Sequence, residues 1–502
     1  LKRCQKGVSP SYSPRPARSQ LPPGPSAPRG HRLPSLWPLA GRRLGGMRTK
    51  KSSKKGKKKS ASAKASAGPA VPTKPEVWMP GVPGAEPDEE GLDYDPTAYT
   101  CLTTLSLGWP CLSFDMLPDA LGDQRTAFPH TLSFVAGSQA PSARLNSLSV
   151  CCVTNLTALR HGKDPLDDSD SDSSSSEDED ADGRPAPGPG SSASAPVLHI
   201  RRVAHAGAVN RVRAMPQSPA LVAAWSEAGS VGVWDLGAPL EEARAEPSPD
   251  ASRSERLARI APRSVHGAGA EGYALDWSRL AAGRLAAGDR RAAIHVWEPA
   301  PAGKWAVGAA YRGHQGPVED LQWSPTEDTV FASAGADQTL RIWDTREKTK
   351  PMLTVAAHEA EVNVAAWSAS TAYMLASGGD DGLLRVWDLR AFASGQYVAS
   401  LKYHSAPITS LEWSPHESSM LLSTGEDGQT AVWDLALERD PEEEAALAPE
   451  TNAAVPDELP PQLLFVHAGQ RDVKEGHWHA QIPGLMVTTA ADGFNLFKPA
   501  NV

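Results

Sequence analysis

The phrase SPTEDTVFASAGADQTLRIWD occupies residues 324–344 and returns in variant form at 368–388 and 414–434. Its copies end in Trp343-Asp344, Trp387-Asp388 and Trp433-Asp434, spaced by 44 and 46 residues. Trp234-Asp235 and Trp297-Glu298 are weaker members, and Phe497 holds the last such position. A histidine opens each of six units: His205, His266, His314, His358, His404 and His467. From that histidine to the closing aromatic the distances are 29, 31, 29, 29, 29 and 30 residues. A second aromatic follows the histidine by 9 or 11 residues at Trp277, Trp323, Trp367, Trp413 and Trp478, whereas the first unit has Ala214 there. Between these landmarks lie strand-length apolar runs broken by turn residues, as in VEDLQWS, TVFASAG, TLRIWD and MLTVAAH. A four-stranded unit of about 40–45 residues cannot bury both its faces alone, but a closed ring of such units buries them and leaves little open edge. The fold class is therefore all-β, a β-propeller.

Four more strand candidates, CLSFDML (111–117), HTLSFVAG (130–137), SLSVCCVTNL (147–156) and VLHIRRVAH (197–205), supply a seventh blade, first along the chain. How the ring closes against the C-terminal unit stays open. The segment before it is expected to hold a short helix over about 95–107, ended by Gly108 and Pro110, or else a loosely held arm. The expected organisation is a disordered basic tail over 1–85, an arm with its helix over 86–109, and the seven-bladed propeller over 110–502. A disordered acidic loop (161–195) and inserts near 238–256 and 437–460 interrupt the propeller.

Three units repeat a polar set at equal offsets: His314, Ser333, Asp337, Trp343; His358, Ser377, Asp381, Trp387; and His404, Ser423, Asp427, Trp433. The expectation is one hydrogen-bonded network per blade, since buried polar groups need partners. Catalysis would need one copy, and three copies at equal spacing indicate scaffolding. Ala228, Arg291 and Ala491 break the set in the other units. GAGAEG (267–272) lacks the context of a nucleotide loop, and no clustered metal-ligand motif is present. The expectation is a non-enzyme with no cofactor, no metal and no catalytic residue.

Formal net charge is −9, unevenly distributed. The five cysteines, Cys4, Cys101, Cys111, Cys151 and Cys152, show neither disulfide framework nor zinc spacing. The chain contains no run of about 18 apolar residues, so no helical membrane span is expected. Residues 1–46 are rich in Arg, Pro, Ser and Gly and read as a transit segment or as an extension upstream of a start at Met47, the second being the expectation. MRTKKSSKKGKKKS then carries seven lysines between Lys50 and Lys59, which fits a nuclear or nucleolar address. The run at 167–182 holds nine acids among sixteen residues: Asp167, Asp168, Asp170, Asp172, Glu177, Asp178, Glu179, Asp180 and Asp182. Serines at 174–176 each precede an acid by three residues, a pattern suited to acid-directed kinases. Such a run can shield a basic partner from nucleic acid, and it argues against direct sequence-specific nucleic-acid binding by this protein. Glu271, Glu319, Asp320, Glu359 and Glu361 lie where innermost strands begin and are expected to make one rim acidic, pointing toward the same basic client.

These repeats, together with GWPCLSFDMLPDALGDQRTAFPHTLSFVAG (108–137), VNRVRAMPQ (209–217) and LPPQLLFVHAGQRDVKEGHWHAQIPGLMVTTAADGFNLF (459–497), resemble the glutamate-rich WD-repeat family of nuclear ribosome-assembly chaperones. The resemblance runs from about residue 85 to the end. It implies a carrier that takes large-subunit ribosomal protein three to pre-60S particles in the nucleolus. It also implies a more distant likeness to histone-binding WD proteins, which grip a histone helix with an N-terminal helix and the propeller flank. The corresponding span here is about 92–115, with Tyr94, Leu102, Leu105 and Trp109 as contacts. Trp-Asp-x-Arg at Trp343–Arg346 and Trp387–Arg390 resembles a docking motif for cullin ligase adaptors, with Arg346 and Arg390 as the docking residues, or else simply begins exposed loops. The acidic run is shorter and richer in serine than the long glutamate stretch of that family.

Overall fold

The computed structural model describes residues 95–159, 195–245, 257–267, 269–438 and 459–502. Seven antiparallel sheets follow one another along the chain, and the innermost strand of each lies beside that of the next, all the way round. This is the seven-bladed propeller expected from the repeat. Blade 1 consists of Cys111–Met116, His130–Ser138, Ser147–Leu156 and Val197–Ala204, the four runs read from the sequence. Blade 4 shows the repeat in plain form, with Val318–Trp323, Val330–Gly335, Thr339–Asp344 and Leu353–Ala356. In its innermost strand Val318, Leu321 and Trp323 are buried between blades, while Asp320 and Gln322 turn toward the axis. A strand's alternation of faces is what lets one segment serve both core and channel.

The core is divided into wedges between neighbouring blades. Between blades 7 and 1, Phe114, Phe134 and Phe494 meet with ring centroids 5.2, 5.5 and 6.1 Å apart. Trp225, Trp277, Trp297, Trp343, Trp387 and Trp433 are fully buried in the other wedges, and burying a large apolar side chain is worth about 1.5–3 kcal/mol.

Blade 7 takes three strands from the C-terminus, Val473–Trp478, Met486–Ala490 and Gly493–Pro499. Its fourth comes from the other end of the chain: Tyr99–Leu105 pairs antiparallel with Gly493–Pro499. This corrects the helix expected over 95–107, of which only the single 3-10 turn Pro96–Ala98 exists, capped by the Asp95 side chain. The leucine spacing and the leading proline fit a helix. However, Thr100, Thr103 and Thr104 favour extended backbone, and the outer edge of Gly493–Pro499 would otherwise stay unpaired.

The insert near 238–256 begins as a helix, Gly237–Arg244, whose Pro239, Leu240 and Ala243 are buried against blade 1. Arg244 fixes it by donating to the carbonyls of Leu117 (3.2 Å) and Pro118 (2.8 Å). The rest of that insert, residues 246–256, lies outside the described residues, as do the acidic run 167–182, Tyr94 and residues 439–458.

Strand order gives the ring two distinct faces. Innermost strands begin at a first face and end at a second. In blade 1 Leu156 pairs with His130, at the end where Met116 also finishes, so the chain departs toward residues 160–194 from the second face. The same reasoning in blade 6, where Met420 pairs with Asp434, places the departure toward residues 439–458 on the second face too.

Candidate interaction faces and axial channel

The three repeated polar sets close into identical relays. In blade 4 the Trp343 indole N–H donates to Ser333 Oγ (2.8 Å), the Ser333 hydroxyl meets His314 Nε2 (2.6 Å), and His314 Nδ1 meets Asp337 (3.0 Å). Blade 5 repeats this at 2.9, 2.7 and 3.0 Å through Trp387, Ser377, His358 and Asp381. Blade 6 repeats it at 2.8, 2.8 and 3.1 Å through Trp433, Ser423, His404 and Asp427. Burial works against the Asp337 carboxylate, but hydrogen bonds from His314, Thr339 and the Gln315 amide outweigh it and hold the group below the usual range. The relay sews the loop, the turn and two strands of one blade together. In blades 2 and 3 alanine replaces the serine, at Ala224 and Ala287, and the indole N–H groups of Trp234 and Trp297 are buried without a hydrogen-bond partner. In blade 7 the relay runs through the closing strand instead: the Tyr99 hydroxyl meets His467 Nδ1 (2.8 Å), His467 Nε2 meets Asn495 (2.9 Å), and Thr104 donates to Asn495 (3.1 Å).

On the first face Glu271, Glu319 and Glu361 sit at or beside the starts of the innermost strands of blades 3, 4 and 5. Glu271 is tied to Arg290 at 2.5 Å. Burial, then Glu361 and Asp380 nearby, push the Glu319 carboxyl up to about 7. Asp320 is not on this rim: it lines the channel, and its carboxylate accepts the Ala365 N–H at 3.1 Å. The acidic rim and the departures toward the acidic run therefore occupy opposite faces. Of the flank contacts, Leu102 and Leu105 pack into the blade 7 wedges as members of the closing strand, and Trp109 is 41% exposed at the loop leading into blade 1. Arg346 and Arg390 are both on the second face, each forked onto the aspartate of its own motif, Asp344 and Asp388, and 74% and 66% exposed.

The axial channel is the feature that sequence reading missed. Side chains of one innermost strand accept backbone N–H groups of the next at constant offset: Ser113 from Val212 (3.0 Å) and Asp115 from Ala214 (2.7 Å). Asp276 accepts from Trp323 (2.8 Å), Glu412 from Trp478 (2.9 Å) and Glu475 from Phe114 (2.8 Å). At the centre Glu475, fully buried, accepts from Arg211 and Arg213 at 2.7 Å each. Burial opposes its charge, but Arg213 and Arg211 outweigh that and hold its pKa well below the ordinary value. His477 lies between Glu412 (3.0 Å) and Glu475 (3.7 Å), and those carboxylates overcome burial to raise it to about 10. A signal existed: the residue before the second aromatic of a unit is polar at Asp276, Gln322, Glu412 and His477, and alternation turns it to the axis. Among the described residues no group of three or more His, Cys, Asp or Glu is placed to hold a metal, and no helix is long and apolar enough to cross a membrane.

Comparison with known proteins agrees with this geometry. The family model for the histone-binding protein RBBP4 and its counterpart in the CAF1 complex matches residues 89–157, which contain the closing strand and the first three strands of blade 1. The model "WD domain, G-beta repeat" matches 305–344, 349–388 and 395–434, the blades with complete relays. The chain is 47% identical over 462 residues to Protein HEAT STRESS TOLERANT DWD 1 of Arabidopsis thaliana, covering 91% of this chain and 98% of that protein. It is 54% identical over 431 residues to Glutamate-rich WD repeat-containing protein 1 of Dictyostelium discoideum, covering 85% of each. It is 38% identical over 432 residues to Ribosome assembly protein rrb1 of Schizosaccharomyces pombe, covering 84% of each. Full-length likeness of this extent, on a closed ring with a strand from each terminus and no catalytic constellation, means that the chain belongs to the glutamate-rich WD-repeat family of non-enzymatic interaction proteins.

Proposed function

We propose that the protein is a nuclear and nucleolar carrier for a basic client, large-subunit ribosomal protein three, which it holds until delivery to pre-60S particles. The observation that carries this reading is the full-length similarity to the fission-yeast ribosome assembly protein. Charge placement adds support. Blades 1 and 6, the neighbours of blade 7 on either side, each send an acid-rich segment from the second face, 167–182 and 438–444. Flexible carboxylates steer a cationic chain and compete with RNA phosphates for it, at a strength that falls with salt. The lysine run at 50–59 supplies the nuclear address. The test is affinity purification of the full chain with newly made ribosomal protein three, comparing wild type with a variant in which the nine acids of 167–182 are Asn or Gln. Capture that falls at least about tenfold, more steeply at low salt, is the expected result. Unchanged capture rules out the acidic run, and no capture at all rules out the carrier.

A histone-binding reading has one observation of its own, the match of residues 89–157 to the histone-binding model. Recovery of histones in preference to ribosomal protein three, lost on changing Trp109, favours it. A ligase-adaptor reading rests on Arg346 and Arg390, presented on neighbouring blades. Arg390 also stacks on Tyr373 at 3.8 Å. Loss of a cullin adaptor on changing both arginines is its test.

A further inference from the structure

The second-face half of the axial channel is a cavity of about 300 Å³. Four carboxylates line it, Asp115, Asp276, Asp320 and Glu412, brought in from blades 1, 3, 4 and 6. The arginines of the channel do not serve the three aspartates. Arg211 gives its hydrogen bonds to Glu475 and the Tyr273 carbonyl, and Arg213 gives its own to Glu475, Ser113 and backbone carbonyls. The aspartates accept backbone amides alone: Asp115 from Met116 and Ala214, Asp276 from Trp323, Asp320 from Ala365. On the opposite wall the buried Nε2 of His477 has no hydrogen-bond partner, its nearest carboxylate being Glu475 at 3.7 Å. Burial pushes the Asp276 carboxyl up to about 7, and Asp115 and Asp320 are raised as well. The cavity thus holds more acceptors than donors, in a place where water screens poorly.

Its mouth is marked by Arg279, an exposed side chain on the turn after the innermost strand of blade 3. The Arg279 charge acts on Asp276, yet the two make no hydrogen bond. A single cation therefore already hovers at the opening as an incomplete partner. A cavity of this size takes one long side chain, and a planar guanidinium matches carboxylates on two neighbouring blades better than a point-like ammonium. We propose that this half-channel is a receptor for one arginine side chain of a basic polypeptide, entering from the second face, with its guanidinium between Asp276 and Asp320. The proposal rests on the reading of a basic client and names how one residue of it is gripped.

The experiment uses the full chain labelled at tryptophan nitrogen and a five-residue probe, acetyl-Gly-Gly-Arg-Gly-Gly-amide. The Trp323 indole N–H, which donates to the Asp276 carbonyl at 3.2 Å, and the Trp478 indole, which donates to the Glu412 carbonyl at 3.2 Å, are the reporters. Saturable shifts of both are expected with the arginine probe, and binding at least about tenfold weaker is expected when citrulline replaces arginine. The paired substitutions Asp276→Asn and Asp320→Asn keep an oxygen for each backbone amide and are expected to weaken the arginine probe by a similar factor. Should that variant not fold, Arg279→Ala, on the surface, takes its place, with tighter binding expected and weaker binding overturning the proposal. Absent shifts, equal binding of the citrulline probe, or unchanged binding in the folded Asn variant also overturn it, leaving a cavity filled by water. No ribosomal protein enters this measurement. Probe binding without client capture would sink the carrier and spare the cavity, and client capture without probe binding would do the reverse.

Discussion

Ser377 Oγ is a hinge of hydrogen bonding: it takes the Trp387 indole proton at 2.9 Å and meets His358 Nε2 at 2.7 Å, with no exposure to water. Ser377→Ala strands both ring nitrogens in a dry interior and is expected to cost about 2–3 kcal/mol in a denaturant titration. Blade 2 offers the converse. His205 and Trp234 stand with ring centroids 5.0 Å apart, and Ala224 holds the serine position beneath a Trp234 N–H that lacks a partner. Ala224→Ser is expected to raise stability by about 1 kcal/mol, and a loss in the same titration would mean that the site has no room for the hydroxyl. Asp276 carries a pH signature. Its pKa is raised from an ordinary carboxyl value to about 7 in the folded chain, so the folded state binds the proton more tightly than the unfolded one. The stability tied to that proton is present in acid and is lost as pH rises through about 7. Asp276→Asn removes the dependence, so the melting temperature of the variant minus that of wild type is expected to increase between pH 5.5 and 8.5. A flat difference would contradict the assignment.

At the scale of elements, the closing strand decides whether the ring is one cooperative body. Tyr99–Leu105 covers the edge of Gly493–Pro499, and its first residue completes the blade 7 relay through His467. Burial drives His467 down to about 4, so the ring is neutral and suits the Tyr99 hydroxyl. Tyr99→Phe is expected to cost about 1–2 kcal/mol by removing a buried hydrogen bond while keeping the ring contact with Phe465. A chain starting at Ser106 exposes a whole strand edge. It is expected to melt roughly 10 °C lower and to self-associate on size exclusion. A truncated chain that melts as the full one does would show that the strand is dispensable.

At the scale of the molecule, Glu475 joins blade 7 to blade 2 across the inner strand of blade 1, through Arg211, Arg213 and the Phe114 amide. Glu475→Gln leaves two guanidinium groups in the channel without their counter-charge and is expected to cost about 3–5 kcal/mol by chemical denaturation. Because the pair is buried, raising the salt concentration is not expected to restore the loss, whereas client capture through the acidic segments weakens with salt. These opposite responses separate the charges that close the ring from the charges that recruit a partner.

The sequence by itself determined the repeat, the number of blades and the relays, because fixed spacing of Trp, Asp, His and Ser is a local property that each unit states on its own. It also determined that a strongly acidic segment leaves blade 1 between its third and fourth strands. Only the tertiary structure decided that residues 99–105 are a strand, since a strand is defined by the edge it pairs with and that edge lies almost four hundred residues away. Only the tertiary structure moved Asp320 from rim to channel, put the acidic rim and the acidic departures on opposite faces, and gathered Arg211, Arg213, Glu475 and His477 at the axis. Each of these is set by closure of the ring, which brings together side chains with no sequence period in common.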